Sequence, residues 1–184
     1  MHLRSHIPNW LTYFRILVIL PLVGAILQDS PNYYHTAAVL FFLAAISDFL
    51  DGYLARLWNV GSSMGRLLDP VADKMVVAAA LVALVHTGHA AIWPTILIIF
   101  RELFVSGLRE FLIESRVILP VSRLAKYKTA TQLLAIFVLL VAEALSLPHI
   151  HIIGSFLLWA SAVLTLITGI GYFTSSLKTI HVKE

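Results

Sequence analysis

The sequence predicts an all-α integral membrane protein of six transmembrane helices, with both termini cytoplasmic. Three observations predict it. Of 184 residues, 59% are hydrophobic and 12% charged, with a mean hydropathy of +0.88; a soluble domain carries roughly 45–50% apolar and 25% charged residues. Apolar stretches fall at 8–28, 33–57, 69–87, 91–115, 123–146 and 150–176, each near the roughly 20 residues a crossing helix needs. Lys and Arg also alternate between the two sides. Segments 28–32, 86–89 and 146–149 hold none, whereas Arg4, Arg56, Arg66, Arg116, Arg123, Lys126, Lys128, Lys178 and Lys183 fall on the other side. That bias assigns the basic side to the cytoplasm. Residues 1–184 read as a single transmembrane domain, without the paired internal repeats of many transporters. No cysteine is present, which excludes disulfides and thiolate zinc sites and leaves oxygen and imidazole as metal ligands.

The first stretch has a signal-peptide-like Val23-Gly24-Ala25, but Arg15 interrupts its apolar run and few cations precede it. It therefore reads as a retained helix. Pro21 is tolerable there, because neighbouring helices re-satisfy the freed carbonyl. In the second stretch ten apolar residues run from Ala37 to Ile46. They rise about 15 Å, half a hydrocarbon core. The helix must continue through Asp48, Asp51 and Arg56 to finish crossing, so these charges begin within the inner leaflet. The third stretch opens on Asp69-Pro70, with proline in a favoured first-turn position. Its Ala78, Ala79 and Ala80 permit close helix packing. In the fourth, Arg101 lies near mid-depth and Arg109 near the inner boundary. Charges at such depth face a water-filled cavity or one another. The expectation is a polar cavity open to the cytoplasm. The fifth stretch is entered through Lys126 and Lys128, and the sixth ends before Lys178. Trp10, Trp58, Trp93 and Trp159 fall mostly near the interfaces, as aromatic belts do. His86, His89, His149 and His151 fall in the outer loops, where exposed interfacial histidine is the preferred reading over a zinc site.

One tract departs from this lipid-adapted pattern: Asp48-x2-Asp51-Gly52-x2-Ala55-Arg56-x8-Gly65-x3-Asp69-x3-Asp73. Ionised carboxylates at membrane depth cost several kcal/mol each unless a cation holds them. Asp48, Asp51, Gly52 and Ala55 are spaced to share one helix face, and so are Asp69 and Asp73. Two faces with two carboxylates each make a cage for two divalent ions about 4 Å apart, as in two-metal phosphoryl chemistry. Oxygen-only ligands suit Mg²⁺ or Mn²⁺. Gly52, Ala55 and Gly65 leave room beside the metals for a flat group such as a nucleobase with its ribose. The structural alternative pairs the acids with Arg56, Arg66 or Lys74.

The tract, with eight defined positions across twenty-six residues, resembles the signature of the CDP-alcohol phosphatidyltransferase family. Other segments resemble the branch of that family whose acceptor is glycerol 3-phosphate. They are Ile7-Pro8-Asn9-Trp10-Leu11-Thr12-x2-Arg15, Leu68-Asp69-Pro70-Val71-Ala72-Asp73-Lys74, Arg101-Glu102, Ser106-Gly107-Leu108-Arg109-Glu110 and Lys126-x-Lys128-Thr129-Ala130. Ala125 departs from the Gly that family members often carry before the lysine, while both lysines remain.

The resemblance implies the CDP-alcohol phosphotransferase fold, in a homodimer of the bacterial cytoplasmic membrane with the active site facing the cytoplasm. It implies transfer of a phosphatidyl group from CDP-diacylglycerol to sn-glycerol 3-phosphate with release of CMP. Asp48, Asp51, Asp69 and Asp73 are then ligands of two Mg²⁺ ions, Asp73 doubling as candidate general base. Gly52, Ala55, Arg56 and Gly65 seat the CDP portion. Thr12 and Arg15 are placed to touch the diphosphate or only to cap and anchor their helix. A phosphorylated acceptor needs cations, and guanidinium forks suit phosphate oxygens. Arg101 and Arg109 lie about 80° apart around one helix and, with Lys126 and Lys128, are the candidate acceptor-phosphate pocket. The alternatives are positive-inside anchoring for the lysines and an ion pair with Glu102 for Arg101. Two rival functions remain open: the same family with another acceptor, either phosphatidylglycerol (a CMP-releasing cardiolipin synthase) or serine or inositol phosphate, and a divalent-cation or proton-coupled transporter. No feature suggests nucleic-acid binding.

Overall fold

This computed structural model describes the backbone of residues 2–58, 63–114 and 123–181, and the side chains of 10–50, 57, 71–113, 124 and 126–177. Among the described residues six helices follow one another: α1 (His2–Leu27), α2 (Pro31–Trp58), α3 (Ser63–His86), α4 (Ile92–Glu114), α5 (Arg123–Ala144) and α6 (Pro148–His181). Each corresponds to one apolar stretch of the sequence. Among the described residues no strand occurs.

Four helices, α1, α2, α5 and α6, contain stretches long and apolar enough to cross a membrane among the described residues. In α3 and α4 charged residues interrupt the apolar run, with Asp73 and Lys74 in one and Arg101, Glu102, Arg109 and Glu110 in the other. Their outward faces are nevertheless apolar: Met75 and Val82 of α3, and Phe100 and Leu103 of α4, are exposed. A lipid tail is as apolar as leucine, so such faces carry no penalty in a bilayer. The apolar helices and their lipid-facing surface describe a multi-pass membrane protein.

The core is built from small and branched residues at helical spacing. Ala37, Phe41 and Ala44 of α2 meet Leu22 and Ile26 of α1, Ala80, Leu81 and Leu84 of α3, and Ile136, Leu139 and Leu140 of α5 in one buried cluster. Of the three consecutive alanines in α3, Ala80 is fully buried, while Ala78 and Ala79 are partly exposed. Helix α1 packs on α2 and α3, α2 on α5, and α6 on α5 and α4. The α5–α6 contact depends on Gly154. A Cβ there would lie 2.8 Å from Leu139 Cδ2 and 3.1 Å from the Leu139 backbone nitrogen.

Three helices end on a residue with positive φ: Asp29 (47°), Gly88 (82°) and Ser146 (52°). Beyond Gly88 and Ser146 the next amide bonds back across the last turn, His89 N–H to Leu84 O at 2.8 Å and Leu147 N–H to Ala142 O at 2.9 Å. This is the Schellman closure, which satisfies carbonyls that the helix itself leaves unpaired. Across these short turns α1 packs on α2 and α5 on α6, whereas α3 and α4 touch little and pack instead on α1 and α6.

Candidate active site

Helices α1, α2 and α3 meet at a buried arginine. Arg15 is 1% exposed, and its Nη1 donates to Asp48 Oδ1 at 2.8 Å and also to Asp73 Oδ1. Asp48 and Asp73 are 42% and 40% exposed, so the pair is held from behind by the guanidinium and open in front. Two carboxylates that reach one nitrogen share one small region of space. A positive charge is already accommodated there, and the donors are hard oxygens. The described pair thus fits a divalent ion such as Mg²⁺. Asp51, Gly52, Ala55 and Arg56 belong to α2, and Gly65 and Asp69 to α3; their side chains lie outside the described residues.

Across from the acids stands a wall of cations on α4 and α5. Lys128, 3% exposed, donates Nζ–H to Glu102 Oε1. Arg101 Nη1 lies 3.4 Å from the same oxygen, and its Nη2 donates to Thr168 Oγ1 of α6 at 3.0 Å. One carboxylate therefore holds two buried cations in place, as buried charges require. Gly169 lets the arginine stem lie flat on α6, because a Cβ there would sit 3.0 Å from Arg101 Cγ. Arg109 rests its guanidinium over the Tyr172 ring, 6.0 Å from the centroid, a cation–π distance.

Both walls line one cavity of about 1110 Å³. Ligand pockets usually span about 300–1,000 Å³, so this one has room for two reactants. Arg15, Lys74, Arg101, Arg109, Lys126 and Lys128 face it against Asp48, Asp73 and Glu102. Among the described residues its charge is positive, as an anionic substrate requires. Phe41, Val76, Val77, Leu133 and Ile167 supply an apolar lining. Gln132 lines it too, almost fully buried, with an Oε1 acceptor that has no partner among the described residues.

Of the sequence-predicted site residues, Asp48, Asp73, Arg101, Arg109, Lys126 and Lys128 converge on this cavity. Thr12 is buried in α1 and is not among the lining residues. The α1 arginine resolves toward the site: Arg15 lines the cavity and clasps the acids. Sequence reasoning missed Glu102, Lys74 and Gln132 as lining groups. Glu102 carried a signal, since an acid beside Arg101 at mid-depth needs a partner. Gln132 carried none, because a lone glutamine on an apolar helix is equally at home in packing.

The family model described as CDP-alcohol phosphatidyltransferase matches residues 5–167. A CDP-diacylglycerol–glycerol-3-phosphate 3-phosphatidyltransferase from Rickettsia felis is 40% identical over 179 residues, covering 97% of this chain and 99% of that protein. Proteins of the same name from Cereibacter sphaeroides and Haemophilus influenzae are 39% and 38% identical, covering 93% and 92% of this chain and 95% and 92% of their own lengths. A family match over most of the length settles the classification: this chain belongs to the CDP-alcohol phosphatidyltransferase family.

Proposed function

We propose that this chain transfers the phosphatidyl group of CDP-diacylglycerol to sn-glycerol 3-phosphate, giving phosphatidylglycerophosphate and CMP in phospholipid biosynthesis. The observation that carries the reading is the two-walled cavity, with an open carboxylate pair facing Arg101, Arg109, Lys126 and Lys128. The names of the full-length relatives support the same substrates.

Residues 1–184 act as one transmembrane catalytic domain, a homodimer in the bacterial cytoplasmic membrane with the cavity facing the cytoplasm. The acyl chains of the donor lie in lipid and along the apolar lining. Gly52, Ala55, Arg56 and Gly65 seat the nucleotide, and Thr12 supports that site from behind. Metal dependence is consistent with the family. Asp48, Asp51, Asp69 and Asp73 hold two Mg²⁺ ions, which when bound neutralise the diphosphate. Arg109, Lys126 and Lys128 bind the acceptor phosphate, with Arg101 braced behind them by Glu102. The primary hydroxyl of glycerol 3-phosphate attacks the phosphorus nearer the lipid. A new P–O bond forms, the bond to CMP breaks, and the hydroxyl proton passes to the Asp73 carboxylate. Orientation and charge stabilisation supply most of the rate, as in other phosphoryl transfers.

The deciding experiment offers purified protein CDP-diacylglycerol with glycerol 3-phosphate, phosphatidylglycerol, serine or inositol phosphate. CMP release is expected with glycerol 3-phosphate. Release with phosphatidylglycerol alone would move the assignment to cardiolipin synthesis, and no release with any acceptor would return it to transport.

A further inference from the structure

A second group of ligating side chains lies at the other end of the bundle. From Pro31 to Asp48, α2 rises about 26 Å, so the catalytic acids are far from it. The Schellman turn at Gly88 puts His89 just beyond α3. The turn at Ser146 puts Glu143 in the last turn of α5 and His151 in the first turn of α6. His89 Nδ1 lies 3.0 Å from Glu143 Oε2, and His151 Nδ1 lies 2.7 Å from Glu143 Oε1. One ligand atom from each of the three residues falls within 4.8 Å of the others. The outer loops thus fold two histidines, which the sequence reads as exposed, onto a shared carboxylate.

A further contact gives this group its direction. His89 Nε2 lies 2.9 Å from Asp29 Oδ1, which also accepts the Tyr34 hydroxyl at 2.9 Å. Asp29 Oδ1 is thus a shared acceptor for His89 and Tyr34. A neutral imidazole that donates from Nε2 carries on Nδ1 the lone pair that a metal ion takes. His89 Nδ1 faces a Glu143 oxygen at 3.0 Å, so the imidazole and the carboxylate converge on one point that a cation can occupy. A carboxylate on the far nitrogen of a histidine is the arrangement that orients metal-bound imidazoles.

We propose that His89, Glu143 and His151 bind one divalent metal ion of the zinc class, with Asp29 orienting His89. Two imidazoles and one carboxylate select zinc-like ions over Mg²⁺. The ion bonds to His89 Nδ1, His151 Nδ1 and one Glu143 oxygen, and any proton those atoms carry is released to solvent. All three ligands are partly exposed, which leaves the fourth position to water. The site staples the three turns at this end and lies too far from the cavity to touch substrate. It does not depend on the catalytic assignment.

The test uses the full chain in detergent, stripped by chelator and held in excess Mg²⁺ to fill oxygen-only sites. Titration with Co²⁺ is expected to give one equivalent of tetrahedral d–d absorption, abolished by Zn²⁺. Zn²⁺ is also expected to raise the unfolding temperature. In His89→Gln and in His151→Gln the affinity should fall at least about 10-fold, in Asp29→Asn by a smaller factor, and in His149→Gln not at all. Monodisperse elution checks that each variant is folded. Equal affinity in wild type, His89→Gln and His151→Gln overturns the proposal. If neither histidine variant folds, wild type decides alone: absence of the cobalt band or of the zinc-dependent stabilisation is equally fatal.

Discussion

Asp73 shares one guanidinium nitrogen with Asp48, so the two carboxylates are held close to each other. Asp73→Asn keeps the size and one acceptor oxygen but loses the charge. Turnover should fall by about 100-fold or more while the protein stays folded, checked by CMP release beside the unfolding profile; normal activity would reject Asp73 as base. Arg15→Gln leaves the acids facing each other without their cation. Because both are about 40% exposed, the loss in stability should be near 1 kcal/mol rather than that of a fully buried pair. Added Mg²⁺ should then raise the melting temperature of Arg15→Gln more than that of wild type. An equal rise in both would mean that Arg15 and the metal do not share the acid pair. Lys126→Ala should raise the KM for glycerol 3-phosphate about 10- to 100-fold, the worth of a charge-assisted hydrogen bond, with less change for the nucleotide donor. At this scale the charged residues were legible individually, since a charge at membrane depth announces itself. Their pairings were not: Lys128 reaches Glu102 across 26 residues, and Arg15 reaches Asp73 across 58.

Helices α5 and α6 approach closely because Gly154 has no side chain where Leu139 lies. Gly154→Ala should cost about 1–3 kcal/mol, since a backbone nitrogen at 3.1 Å cannot move aside as a side-chain end can. A thermal melt checks this against Gly24→Ala, where nothing lies within 4 Å and no such loss is expected. Gly169→Ala presses on Arg101 instead, so its effect should fall on activity before stability. All six helices could be read from hydropathy alone. The inward turn of the charged faces of α3 and α4 could be anticipated, but which partners they meet could not. Hydropathy specifies what a face avoids, whereas the partner depends on how α4 lies against α6 and α2 against α5.

The whole molecule is expected to have its cavity on the cytoplasmic side and its histidine-bearing turns on the other. With no native cysteine, Ser146→Cys and Lys178→Cys report this directly. In sealed inside-out vesicles an impermeant maleimide should label position 178 and spare 146; the reverse pattern would invert the topology. Chelation of divalent ions should abolish CMP release, and Mg²⁺ should restore it. The number of helices, their lipid-facing character, the acidic tract and the family it marks were all determined by the sequence by itself. Composition, charge bias and local spacing are properties of a segment that no neighbour alters. Only the tertiary structure decided that Arg15 clasps Asp48 and Asp73, that Glu102 braces Arg101 and Lys128, and that His89 and His151 meet at Glu143. Apart from the Arg101–Glu102 pair, made by neighbours within α4, each of those contacts joins different elements of the fold, and the approach of one helix to another is set by packing along their whole length, which no local pattern encodes.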